Sequence, residues 1–281
     1  MNNSLIGIQG THGSYHEEVA RQYFGDKVNI QYLNTFKDVF KALEAKQITH
    51  AVVAIANNRY GFVPNAFSEL MRSADSISII GEAYLAIRHQ LLAIPGTKLS
   101  DITEVHSQPA AIGQCTKFLE ASLPNARLIE EDDTARSAEL VSKSGLNNKA
   151  AIASKKAGEL YGLNRVTENI QDDPENTTRF LVLELADSQT LEAQTGNKTT
   201  ALMKTSQKPG SLVDALLPFK ENHINISTLH SSFLPNTSFE MQFFIEFDAN
   251  INEPVMKRVM EQLASIGASL KILGCYNSKQ I

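Results

Sequence analysis

Asn176-Thr177-Thr178-Arg179-Phe180 runs straight into the apolar segment Leu181-Val182-Leu183. An acidic, turn-prone lead-in, Gln171-Asp172-Asp173-Pro174-Glu175, delivers it. The residue before a proline is pushed out of helical geometry, so this lead-in reads as extended or turning. Phe180–Leu183, with Val182 β-branched, predicts a buried strand. Two hydroxyls and a guanidinium then stand at the strand's mouth, where open α/β sheets bind ligands. Arg179 can hold a carboxylate through two parallel hydrogen bonds. Thr178 can donate to an oxygen beside that carboxylate. The plainer alternative is an arginine salt bridge and a strand-start threonine.

Upstream, strands and helices alternate. Leu5–Ile8 reads as a strand ending in a glycine-spaced turn, Gly10-Thr11-His12-Gly13-Ser14. A helix over Tyr15–Phe24 follows, with Ser14 as N-cap and Glu17 completing a capping box. Its first backbone N–H groups suit an anionic ligand. Further strands are expected over Val28–Leu33, Ala51–Ile55, Val105–Ser107, Arg127–Ile129 and Ala150–Ala153. Helices are expected over Thr35–Ala45, Asn65–Arg72, Ala110–Ala121, Thr134–Ser142 with Asp133 as cap, and Lys155–Tyr161. Such alternation argues for doubly wound parallel sheets. Ile77–Ile94 is a long extended stretch able to cross between lobes. The chain thus visits lobe one (about 1–76), lobe two (about 77–171) and lobe one again (about 172–186), with a cleft between.

Residues 187–198 are polar and aperiodic and read as a linker. Beyond it the expected order is strand Thr199–Thr205, helix Leu212–Asn222, strands Ile224–Leu229 and Phe239–Phe247, helix Pro254–Ile266 and strand Leu270–Cys275. This is the ferredoxin-like βαββαβ motif.

The 281 residues allow one large or two modest domains. A net charge of −5 leaves no electrostatic footprint for nucleic acid. No apolar run approaches a membrane span. Cys115 and Cys275 make no metal or redox spacing, and the N-terminus lacks signal-peptide features, so a cytoplasmic location is expected. No dinucleotide or phosphate-loop motif occurs. His12 and His16, four apart, have no evident third metal ligand. Neither a metal nor an organic cofactor is expected.

An ordered set of stretches resembles prephenate dehydratase followed by an ACT regulatory domain. Asn176-x-Thr178-Arg179-Phe180 resembles that family's Thr-Arg-Phe signature, and Gly10–Tyr15 its first glycine turn. Gly81-Glu82 with Arg88-His89-Gln90-Leu91-Leu92, Ser107–Cys115, Asp133-Thr134-Ala135, Ala151–Ser154 and Tyr161-Gly162-Leu163 follow in the family's order. The resemblance implies a two-lobed, periplasmic-binding-protein-like (type II) catalytic domain over 1–186 and an ACT domain over 199–281. It implies that prephenate loses carbon dioxide and its ring hydroxyl, giving phenylpyruvate on the way to phenylalanine. Thr178 and Arg179 would be catalytic. Ser14, Asn57, Gln114, Thr134 and Phe180 would bind substrate.

Two departures stand out. Where the family has Pro-Ile-Glu-Asn-Ser, this chain has Ala54-Ile55-Ala56-Asn57-Asn58, without the carboxylate, and Phe62 replaces a serine. In the C-terminal unit, Gly210-Ser211-Leu212 and Ile224-Asn225-Ile226-Ser227 resemble phenylalanine-binding ACT segments, but His230-Ser231-Ser232-Phe233 stands for Glu-Ser-Arg-Pro. The expectation is a dehydratase inhibited by L-phenylalanine through Gly210, Ser211, Leu212, Asn225 and Ile226. The alternatives are a non-catalytic binding or sensor homologue and an arogenate dehydratase. An exposed sheet edge predicts a homodimer or a dimer of dimers.

Overall fold

The computed structural model describes residues 4–187, 195–234 and 239–280, so most of the predicted linker, residues 188–194, lies outside the described residues. In chain order the N-terminal elements are β1 (Leu5–Gln9), α1 (Tyr15–Phe24), β2 (Asn29–Leu33), α2 (Phe36–Glu44), β3 (His50–Asn57), β4 (Gly61–Phe62), α3 (Pro64–Arg72), β5 (Ile77–Ala86) and β6 (Gln90–Ala93). Then come β7 (Glu104–Ser107), α4 (Pro109–Gly113), α5 (Thr116–Ser122), β8 (Arg127–Glu130), α6 (Thr134–Ser144), β9 (Lys149–Ala153), α7 (Lys155–Leu160), β10 (Asn164–Glu168) and β11 (Thr177–Leu185). The last stretch holds β12 (Lys198–Lys204), α8 (Ser211–Glu221), β13 (Ile226–Phe233), β14 (Met241–Phe247), α9 (Pro254–Ser265), β15 (Ser269–Tyr276) and β16 (Ser278–Gln280). Two compact units result: residues 4–67 with 84–180, and 68–83 with 181–280.

The first unit contains two sheets. One has the order β2-β1-β3-β11, with β4 antiparallel on β3. Here β1 runs parallel to β2 and β3, and α1 and α2 pack on β1 and β3. The other has the order β10-β6-β9-β7-β8. Strand β9 shows why its sequence is apolar throughout. Ala150 and Ile152 pack against Ala111, Cys115 and Leu119 of the α4–α5 side, while Ala151 and Ala153 pack against Ala135, Ala138 and Ala157 of the α6–α7 side. A strand covered on both faces reads as continuous apolar sequence.

Three predicted elements change. The helix expected over Ala110–Ala121 is two helices, broken at Gln114–Cys115. The capping box at α1 does not form: Glu17 Oε2 accepts from Gly13 N at 2.7 Å, one residue before the cap, and Ser14 alone caps the helix. Strand β11 begins at Thr177, three residues before the predicted start, so Thr178 and Arg179 lie within the strand.

In the second unit, β12, α8, β13, β14, α9 and β15 form the βαββαβ order, with sheet order β13-β14-β12-β15. Met203, Ala215, Phe219, Phe247, Met256, Val259 and Leu263 form a core between this sheet and its two helices. Strand β5 enters this unit with its first residues. There Glu82, fully buried, meets Lys198 Nζ at 3.0 Å through both carboxylate oxygens. Glu246, also fully buried, lies 3.9 Å from the same ammonium and accepts from Thr200 Oγ1 at 3.0 Å.

Candidate active site

Both sheets of the first unit contribute to one cavity of about 330 Å³. From the first sheet come Gln9, Ala54, Asn57, Phe62, Thr178 and Phe180; from the second side come Ile87, His89, Gln108, Gln114, Asp133 and Thr134. The turn after β1 is stitched across this gap. Thr11 Oγ1 donates to Asp133 Oδ1 at 3.0 Å, Ser154 Oγ to Gly13 O at 2.9 Å, and Tyr161 OH to His12 O at 2.8 Å. Gly10, at φ 108°, is needed here, because a Cβ would lie 2.8 Å from Asp133 Oδ2.

Six of the seven residues expected to act or bind substrate line this cavity: Ser14, Asn57, Gln114, Thr134, Thr178 and Phe180. Arg179 does not line it. Successive strand residues face opposite sides of a sheet, so Thr178 and Phe180 share the cavity face and Arg179 is buried on the other. Thr178 and Arg179, expected to meet one ligand oxygen cluster, thus stand on opposite faces of β11. Ala56 is also absent from the lining; it pairs with Phe62 in the β3–β4 ladder. The Phe62 ring lines the cavity and packs 4.7 Å from Phe67.

A hydrogen-bond relay that sequence spacing could not disclose organises the polar side. Asn57 Nδ2 donates to Thr178 Oγ1 at 3.1 Å and to Asn176 Oδ1 at 2.8 Å. Asn57 Oδ1 accepts from Arg59 N and Tyr60 N. Asn176 Nδ2 donates to Gln114 Oε1 at 2.7 Å, and the same oxygen meets His89 Nε2 at 2.7 Å. An amide oxygen only accepts, so His89 carries its proton on Nε2. Its Nδ1 faces Tyr15 Oη at 3.2 Å, and the Tyr15 hydroxyl donates to Arg88 O at 3.0 Å. Burial holds His89 neutral, lowering its pKa to about 4 against the bond to Gln114. Because Thr178 Oγ1 accepts from Asn57, its own O–H is left to donate into the cavity.

His12 and His16 diverge. The His12 ring meets Glu17 at 2.6 Å, while His16 Nε2 accepts from Ala54 N at 3.2 Å and its ring stands edge-on to Phe180 at 5.2 Å. Burial lowers the His16 pKa to about 4. Among the described lining residues there is no lysine or arginine, and Asp133 is the one carboxylate. Positive potential comes instead from helix starts. The first turns of α1, α3 and α6 place Ser14, Pro64 and Thr134 in the lining, and each aligned helix puts about half a positive charge at its N-terminus.

In the second unit, Gly210 caps α8 with φ 86°, and Leu212 and Ile226 pack on the same core. Asn225 Nδ2 donates to Asp248 Oδ2 at 2.7 Å. Among the described residues no group of three metal-ligating side chains forms, and no helix is long and apolar enough to cross a membrane.

The prephenate dehydratase family profile matches residues 6–188. The bifunctional chorismate mutase/prephenate dehydratase of Escherichia coli K12 is 34% identical over 284 residues, covering 99% of this chain and 72% of that protein. A solved structure described as GqqA, a novel type of quorum quenching acylase, superposes with a TM-score of 0.86 at 28% identity, covering 98% of each chain. The prephenate dehydratase of Staphylococcus aureus Mu50 gives 0.82 at 27% identity, covering 97% of this chain and all of that one.

Proposed function

The chain belongs to the prephenate dehydratase family, and we propose on that premise that its cavity converts prephenate to phenylpyruvate, with loss of carbon dioxide and water. One observation carries the reading. Thr178 faces a cavity large enough for a six-membered ring, and Asn57 turns its hydroxyl into a donor. That donor holds the departing ring hydroxyl. Ring aromatisation supplies much of the driving force, so catalysis rests on positioning. The two substrate carboxylates are held by the N-terminal turns of α1 and α6 through Ser14 and Thr134, not by Arg179. Phe180 and Phe62 flank the ring, and Gln114 fixes His89.

An acylase reading, raised by the GqqA likeness, fits less well. Acyl transfer needs a nucleophile hydrogen-bonded to a base. Ser14 Oγ accepts from Glu17 N and Thr178 Oγ1 from Asn57. Burial pushes the Cys115 thiol well above its ordinary range.

The βαββαβ module supports assignment as an ACT domain over 199–281, and the N-terminal region as a two-lobed periplasmic-binding-protein-like domain over 1–186. L-phenylalanine is the proposed effector, acting at Gly210–Leu212 and Asn225–Ile226, in a cytoplasmic homodimer or dimer of dimers. The test is turnover: purified protein is assayed for phenylpyruvate from prephenate, with arogenate in parallel. Turnover of prephenate supports the reading. Tight binding by calorimetry without turnover supports the sensor alternative, and turnover of arogenate alone supports the arogenate dehydratase.

A further inference from the structure

Departure of the ring hydroxyl as water consumes one proton, and the cavity offers few groups able to give it. A threonine hydroxyl is too weak an acid. Burial pushes the Tyr15 and Tyr60 phenols above their ordinary value. His16 and His89 stay neutral down to about pH 4, and their ring nitrogens are engaged by Ala54 N, Gln114 and Tyr15. One carboxyl remains among the described lining residues.

We propose that the Asp133 carboxyl is the general acid that protonates the departing hydroxyl, an inference that rests on the dehydratase reading above. Asp133 is nine-tenths buried at the start of α6 and lines the cavity. Its Oδ1 is a fixed acceptor, taking Arg136 N at 2.9 Å and Thr11 Oγ1 at 3.0 Å. Its Oδ2 lies over Gly10 and in this proposal carries the proton.

The groups around it oppose one another. Arg136 on its own helix, the N–H groups of Arg136 and Ala135, and the Thr11 hydroxyl from the β1–α1 turn favour the carboxylate. Burial favours the acid and prevails, so the carboxyl holds its proton above the ordinary aspartate range. Tyr161 from the end of α7 is itself pushed toward its neutral phenol by burial first, then by the charges of Glu139, Asp133 and Glu17, against a bond to Thr11. A dianionic substrate alongside raises the carboxyl further. In the step, Oδ2–H gives its proton to the ring oxygen, and the C–O bond breaks with its electrons on that oxygen. The bond to the ring carboxylate then supplies its pair to the aromatic ring as carbon dioxide leaves. Asp133 ends as a carboxylate on the same donors and regains a proton from water.

The test is the pH dependence of kcat for prephenate in wild type, Asp133→Asn, Asp133→Glu and Thr178→Ala. Asparagine caps a helix as well as aspartate, so Asp133→Asn keeps the fold, checked by melting temperature. Wild-type kcat is expected to fall as pH rises through the carboxyl's range. Asp133→Asn loses about 10²–10⁴-fold and the alkaline limb with it. Asp133→Glu restores part of both, and Thr178→Ala is slow but keeps the limb. A folded Asp133→Asn within threefold of wild type, or with the limb unchanged, overturns the proposal. Wild type without turnover above the acid-catalysed background overturns the dehydratase reading and this inference together.

Discussion

Asn57 Nδ2 donates to Thr178 Oγ1 across 3.1 Å, joining residues 121 positions apart in the chain. All four hydrogen-bonding sites of this amide are taken, by Thr178, Asn176 and the N–H groups of Arg59 and Tyr60. Asn57→Asp removes both donors and sets a carboxylate against Thr178 Oγ1, whose proton it captures. The expected result is a kcat loss of about 10–10³-fold, since a group that fixes an active-site donor is worth a few kcal/mol. Steady-state kinetics on prephenate check it.

Arg179 is buried on the face opposite the cavity. Arg179→Lys is expected to lower the melting temperature while leaving KM for prephenate within about threefold, because it alters packing and not ligand contact. A tenfold rise in KM with unchanged stability would return Arg179 to the substrate.

His89 links pH to stability. Its ordinary pKa of 6.5 falls to about 4 in the fold. The neutral ring is favoured, so its contribution is complete above pH 6.5 and is lost as pH falls toward 4. At 1.36 kcal/mol per pH unit the loss reaches about 3 kcal/mol. Urea unfolding at pH 7 and pH 4.5 should show His89→Gln less acid-sensitive than wild type.

In the second unit, Lys198 stands between the buried carboxylates of Glu82 and Glu246. Lys198→Met leaves two buried carboxylates without their cation and should cost about 3–5 kcal/mol. Lys198→Met with Glu82→Gln should recover part of that loss. Denaturant midpoints measure both.

Much of this architecture is legible from sequence. Apolar continuity in Ala51–Ile55 and Ala150–Ala153 marks strands covered on both faces, and Ser14 and Asp133 stand as helix caps with the side-chain bonds expected of them. The start of β11 is misplaced because Thr177, Thr178 and Arg179 are polar and apolar periodicity is silent about them. That shift is what hides the opposite facing of Thr178 and Arg179. Strands β10 and β16 are short and polar and leave no signal. The Asn57–Asn176–Gln114–His89 relay joins four distant stretches, so no local pattern announces it. Asp133 reads as a helix cap, which it is; its place in the cavity appears only once α6 is folded against the β1–α1 turn.

The most direct measurement compares phenylpyruvate formation from prephenate by wild type, Thr178→Ser and Thr178→Ala. Serine is expected to keep a tenth or more of kcat while alanine loses about 10²–10³-fold, with melting temperatures alike. Equal rates for Thr178→Ala and wild type would contradict this.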